Sequence, residues 1–175
     1  LKLKIPNNYF ELMNYFNNHS NGGRIAMLPQ YTYWGWNYYS WGYGGSGFLW
    51  YGIQNPTLDR AFDGYRRENE NYYWEISKAI YSNDINLFEK VLEKYQIEWL
   101  VLDRFVLGTS STRNLYLDKI EHFLSDSKKM EIVERFDKIK VYKVDLNTNP
   151  KDFVFLAKDL PVVGPGYKWN NYDKA

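Results

Sequence analysis

Residues 97–104 read IEWLVLDR, and this run decides the fold. Five of its first six residues are apolar, with no polar alternation, so neither face of the strand they form meets water. A strand covered on both faces belongs to a parallel sheet flanked by helices. RIAML at 24–28, ended by Pro29, is a second buried strand of the same kind. Asp103 and Arg104 fall at the carboxyl end of the longer strand, and in α/β sheets ligands collect outside that end.

Helical periodicity fills the space around these strands. IPNNYFELMNYF (residues 5–16) opens a helix with Asn7 or Asn8 as N-cap and Tyr9, Leu12, Met13 and Phe16 inward. NNHSNGG stops it; the sequon Asn18-His19-Ser20 inside that run reads as a polar helix end. Tyr72, Tyr73, Ile76, Ala79 and Ile80 recur at helical spacing until Ser82 or Asn83 breaks the helix. Asp84 then starts another helix, with Ile85, Phe88, Val91, Leu92 and Tyr95 on its buried side. Residues 106–112 read as a loop, and 114–125 as a helix with Leu117, Ile120, Phe123 and Leu124 inward. Residues 129–136 and 139–144 alternate at period two around Asp137-Lys138, the pattern of a β-hairpin. This order predicts an α/β domain: a three-layer, Rossmann-like unit whose mostly parallel sheet ends in a β-hairpin. Its expected bounds are 1–146, with a long aromatic loop at 29–63. Residues 147–175 read as an extended C-terminal segment with one strand at 153–156, either a connector or the start of a further module. With Leu1 at one end and GPGYKWNNYDKA at the other, the expectation is a segment of a longer polypeptide.

The loop is the compositional outlier. Eleven of the twenty-one residues at 31–51 are aromatic, and Trp34, Trp36, Trp41 and Trp50 are four of the seven tryptophans in the chain. No helix or strand period survives across it, so it reads as an ordered, ring-rich loop. Loops of this length inside compact domains are functional or disordered, and this much apolar ring area opposes disorder. Most rings are expected in the core, with a minority of about three or four facing a ligand or partner. On that reading the rings stack on sugar faces while Gln30, Asn37, Asp59 and Arg60 hydrogen-bond hydroxyls. The candidate carbohydrate-binding set is Trp34, Trp36, Asn37, Tyr39, Trp41, Trp50, Asp59 and Arg60.

The totals narrow the chemistry. Lys and Arg number 22 against 21 Asp and Glu, a net charge of +1, so nucleic acid is not an expected partner. Aromatic stacking on single strands needs a basic groove, and residues 24–63 hold only Arg24 and Arg60 as cations. The chain has no cysteine, and His19 and His122 stand far apart without neighbouring ligands, so no metal site is expected. The run GYGGSG at 42–47 lacks the Lys-Ser/Thr of a P-loop and the helix that would follow a dinucleotide fingerprint. No nucleophile elbow occurs. No cofactor is expected. No apolar run reaches the length of a membrane span. The carboxylates Asp59 and Asp63 around Arg60 fit structural ion pairing best, ligand hydrogen bonding next, and the acid–base pair of a glycoside hydrolase least.

The pattern LPQYTYWGWNYYSWGYGGSGFLWYGI, with LDRAFD after it, resembles the soluble domain that follows the membrane helices of bacterial polytopic GT-C-type glycosyltransferases and YfhO-like membrane proteins. LFEKVLEKYQIEWLVLDR and LDKIEHFLSDSKKMEIVERFDKIKVYKV are similar to its later elements. The resemblance spans residues 6–173 and implies an accessory domain on the extracytoplasmic face of the cell membrane. It would pack on the parent membrane domain in cis and contact a carbohydrate or lipid-linked glycan. In such enzymes the catalytic acid lies between membrane helices, so no catalytic residue is carried over and the segment is expected to be non-catalytic alone. Two rivals stand beside it: a free-standing carbohydrate-binding module, and a glycoside hydrolase using Asp59 and Asp63.

Overall fold

A computed structural model describes residues 2–19, 22–30, 36–58, 67–109 and 117–147. The elements in chain order are α1 (Asn7–His19), β1 (Arg24–Leu28), β2 (Asn37–Tyr39), β3 (Gly44–Gly45), a 3-10 turn (Leu49–Tyr51) and β4 (Thr57–Leu58). They continue with α2 (Arg67–Ser82), α3 (Ile85–Lys94), β5 (Ile97–Asp103), β6 (Val106–Thr109), α4 (Leu117–Asp126), β7 (Met130–Phe136) and β8 (Ile139–Val144). Five strands form one sheet in the order β4-β1-β5-β8-β7. β4, β1 and β5 pair in parallel, and β8 runs antiparallel between β5 and β7, so four of the five strands point the same way. The fold is therefore α/β with a closing hairpin, and the turn of that hairpin carries Asp137 at φ 56°.

Both faces of the sheet are covered, as the largely apolar run of β5 requires. Ala26, Leu28, Leu100, Leu102, Tyr142 and Val144 pack against Tyr72, Ile76, Phe88, Leu92, Phe123 and Leu124 of α2, α3 and α4. Ile25, Met27, Trp99, Val101, Ile139 and Val141 point the other way, onto Tyr9, Leu12 and Phe16 of α1 and onto the aromatic segment. The helices on the first face are held partly by polar contacts. Asp84 caps α3 by accepting the Leu87 N–H at 2.9 Å. Arg104 reaches α4 through Glu121 (2.7 Å) and Asp118 (2.6 Å), and Lys140 of β8 also pairs with Glu121.

Two expectations are corrected. Residues 37–45 are not all loop: β2 and β3 form a hairpin, and β2 pairs with β6, which lies inside the span expected to be a loop. The result is a second, three-stranded sheet in the order β3-β2-β6. Its hairpin closes tightly because Gly42 takes φ +91°, a left-handed value that costs glycine nothing, while the Gly42 N–H bonds the Tyr39 carbonyl. In addition, α1 begins at Asn7 itself, with the Tyr9 N–H on the Pro6 carbonyl, and Asn8 reaches instead to the Phe136 carbonyl. The expected strand at 153–156 lies outside the described residues.

The small sheet is tied to the large one at the end of β5. Asp103 is 2% exposed; its Oδ2 accepts the Tyr9 hydroxyl at 2.8 Å and its Oδ1 accepts the Phe105 N–H at 2.8 Å. Burial pushes this carboxyl up to about 6 from 3.8, while the two hydrogen bonds pull it back part of the way. Tyr9 is also pushed up, first by burial and then by the neighbouring carboxylate.

Two stability predictions follow from these contacts. Asp84→Ala should lower unfolding free energy by about 1 kcal/mol in urea denaturation, the usual loss for an N-cap. For Asp103, the unfolded chain ionises near 3.8 and the folded chain near 6, so stability falls as pH rises through that window and is level above it. The fall should be roughly 2–3 kcal/mol at about 1.4 kcal/mol per unit. Urea curves at successive pH values should show that slope in the wild type and lose it in Asp103→Asn; parallel slopes would refute the assignment.

Candidate functional site

The ring-rich segment sorts into a sealed layer and an open one. Strand alternation does the sorting: along β2, Asn37 and Tyr39 face inward, while Trp36, Tyr38 and Ser40 face out. The sealed layer centres on Tyr9. Its ring meets Tyr39, Trp41, Phe48 and Phe105 at centroid distances of 5.1–6.3 Å, edge-on or tilted, as ring quadrupoles prefer. Trp41 stacks on Tyr43 at 5.3 Å and 8°, and its indole N–H points at the Tyr9 oxygen at 3.4 Å. A polar thread thus runs from Trp41 through Tyr9 to Asp103 beneath the rings.

That thread is shaped like a proton relay, but its carboxyl end is buried. Asp103 is buried on all sides and both of its oxygens are engaged. A general acid must come within hydrogen-bond reach of the atom it protonates. The thread fastens α1, β5 and the small sheet to one another.

The open layer is the outer face of the small sheet. Trp36 and Tyr38 are 50% and 49% exposed, and Leu107 on β6 is 67% exposed. Tyr38 stands opposite Gly44 on β3 and Gly108 on β6, so its ring has bare backbone on either side. A second ring pair lies on the 3-10 turn, where half-buried Trp50 stacks on exposed Tyr51 at 3.6 Å with its indole N–H on the Gly47 carbonyl.

The candidate residues therefore separate. Trp36 lies on the open face. Asn37 and Tyr39 are inward and buried, Trp41 is half-buried against the sealed layer, and Trp50 is half-buried beside exposed Tyr51. Trp34, Asp59, Arg60 and Asp63 lie outside the described residues. Asn37 is 0% exposed, and neither atom of its side-chain amide has a hydrogen-bond partner among the described residues. Gln30, two residues past β1, has its oxygen held by the Ser77 hydroxyl at 2.6 Å. Sequence reasoning missed Tyr38 and Leu107, and only the outward parity of positions 36, 38 and 40 would have found Tyr38. Among the described residues no three His, Cys, Asp or Glu side chains are grouped as a metal ion requires, and no helix is long and apolar enough to cross a membrane.

No protein-family model matches this chain, and no curated protein sequence matches it. In fold it is similar to the arabinofuranosyltransferase AftD from Mycobacteria, with a TM-score of 0.66 and 15% identity over 82% of this chain and 12% of that one. A structure of a mutant of the same enzyme gives a TM-score of 0.67 and 17% identity over 82% of this chain and 13% of that one. The C-terminal globular domain of an oligosaccharyltransferase from Archaeoglobus fulgidus aligns with a TM-score of 0.47 and 10% identity over 81% of this chain and 99% of that domain, too distant to carry an argument. The chain spans about one-eighth of the transferase's length, and at this identity the likeness establishes a shared fold alone.

Proposed function

We propose that this chain is an accessory, non-catalytic domain of a membrane glycosyltransferase-like protein, held on the extracytoplasmic face, whose open aromatic face contacts the carbohydrate acceptor. The observation that carries this reading is the outer face of the small sheet. Trp36, Tyr38, Ser40 and Leu107 are exposed there without a formal charge among them. Exposed Trp and Tyr on one face offer flat apolar area with a polar rim, which suits the C–H face and hydroxyl edge of a neutral sugar. The fold likeness supports the wider setting, because the similar region is a small part of a much larger arabinofuranosyltransferase. The sealing of Asp103 supports a non-catalytic role.

The test is a titration of the protein with linear arabino-oligosaccharides, with manno- and galacto-oligosaccharides alongside, followed by tryptophan fluorescence and by NMR shifts. Trp36→Ala and Tyr38→Ala should each weaken binding about tenfold, or about 1.4 kcal/mol, while leaving the unfolding midpoint in place. Equal binding by wild type and both variants, or no binding to any of the three sugars, removes carbohydrate contact by this face.

A further inference from the structure

The thread from Trp41 through Tyr9 to Asp103 has a direction. The Trp41 indole N–H donates to the Tyr9 oxygen at 3.4 Å, and the Tyr9 O–H donates to Asp103 Oδ2 at 2.8 Å. Asp103 Oδ1 accepts the Phe105 N–H at 2.8 Å. Every donor points toward the carboxylate, and each bond polarises the next. An indole N–H and a backbone N–H can only donate, whereas a carboxyl and a phenol can change roles.

A proton arriving at Asp103 therefore has one place to go. On Oδ1 it would face the Phe105 N–H, donor against donor. On Oδ2 it faces the Tyr9 oxygen, and the phenol can turn its own hydrogen to the other side. The Tyr9–Asp103 bond then runs from carboxyl to phenol. The displaced phenol hydrogen takes the side on which Trp41 donates, so the indole loses its acceptor. Trp41 is half-buried and can give its N–H to water instead. It lies in the turn of the β2–β3 hairpin, stacked on Tyr43, and its bond to Tyr9 ties that turn to α1.

The described groups around Asp103 leave this exchange to Tyr9. β8 sets Ile139 opposite it, and the small sheet sets Tyr39 behind Tyr9. Lys138 lies over the Phe105 ring at 5.5 Å, and Arg104 is engaged by Asp118 and Glu121 of α4. Neither cation pairs with the Asp103 carboxyl. Burial pushes that carboxyl up to about 6.

We propose that the thread is a pH-operated latch on the β2–β3 hairpin: with Asp103 ionised the turn is tied to α1 through Trp41, and uptake of one proton at Oδ2 reverses the Tyr9 bond and frees the indole. The latch is independent of what the outer face of the small sheet binds. The same proton relieves a buried charge, so the domain gains stability on acidification while this one tie is lost.

The experiment is an NMR titration of the whole chain over roughly two pH units on either side of 6. It follows the Asp103 carboxyl carbon and the Trp41 indole N–H, the latter assigned by its disappearance in Trp41→Phe. Both signals are expected to titrate together with a midpoint of about 6. In Asp103→Asn the amide oxygen accepts the Phe105 N–H while the amide nitrogen donates to Tyr9, so the Trp41 signal should hold its acid position at every pH. A Trp41 signal that stays still while Asp103 titrates overturns the latch. So does a carboxyl that stays ionised throughout, or an Asp103→Asn signal that keeps the alkaline position. Should Asp103→Asn fail to fold, Tyr9→Phe takes its place: Asp103 is expected to titrate there without the Trp41 signal following, and continued tracking overturns the reversal.

Discussion

One buried hydrogen bond, from the Tyr9 hydroxyl to the Asp103 carboxyl, pins the first helix to the end of the central strand. Asp103 closes the central parallel strand, and its second oxygen catches the Phe105 N–H just as the chain turns toward β6. The carboxyl therefore aims the strand of the small sheet while the phenol presses α1 against it. Removing such a group from water is costly, which is why its proton is held so much more tightly than in the unfolded chain. The rings of Tyr39, Trp41, Phe48 and Phe105 close over the bond and keep water away, and their own packing adds about 0.5–1.5 kcal/mol per ring pair.

The large sheet and its helices were legible because their residues contrast. RIAML and IEWLVLD are mostly apolar, α3 divides cleanly into Phe88, Val91 and Leu92 against its lysines and glutamates, and β7 alternates half-buried and exposed positions. The small sheet was not legible, for the opposite reason. In β2 the inward Tyr39 and the outward Tyr38 are the same amino acid, so period two is present in space and absent from hydropathy. β6 is short, contains a glycine and is interrupted by a register slip, which leaves too few residues for any pattern. Gly42 was visible as a turn residue, but its partner strands were not.

The candidate site shows the same divide. Aromatic enrichment correctly marked the segment where rings concentrate, yet composition carries no direction. Asn37 and Tyr39 were grouped with Trp36 on side-chain chemistry alone, and the pleat sends them to the opposite side. Asp103, the most perturbed carboxyl among the described residues, drew notice only as the end of a strand. Its partner Tyr9 lies 94 positions away, a separation that no local spacing rule spans.

Among the described strands, β7 lies at the rim of the large sheet, with β8 as its one paired neighbour. Such a rim is a template on which a foreign strand can zip, and the usual end point is fibre or amorphous aggregate. Here Glu131 and Arg135 stand exposed along it, and the register slip at Val133 spoils its straightness. An incoming copy would have to strip water from these charges and match a crooked edge. Resistance to edge-to-edge pairing is thus built into the β7–β8 hairpin, at the cost of a strand that contributes less to the core than its length allows.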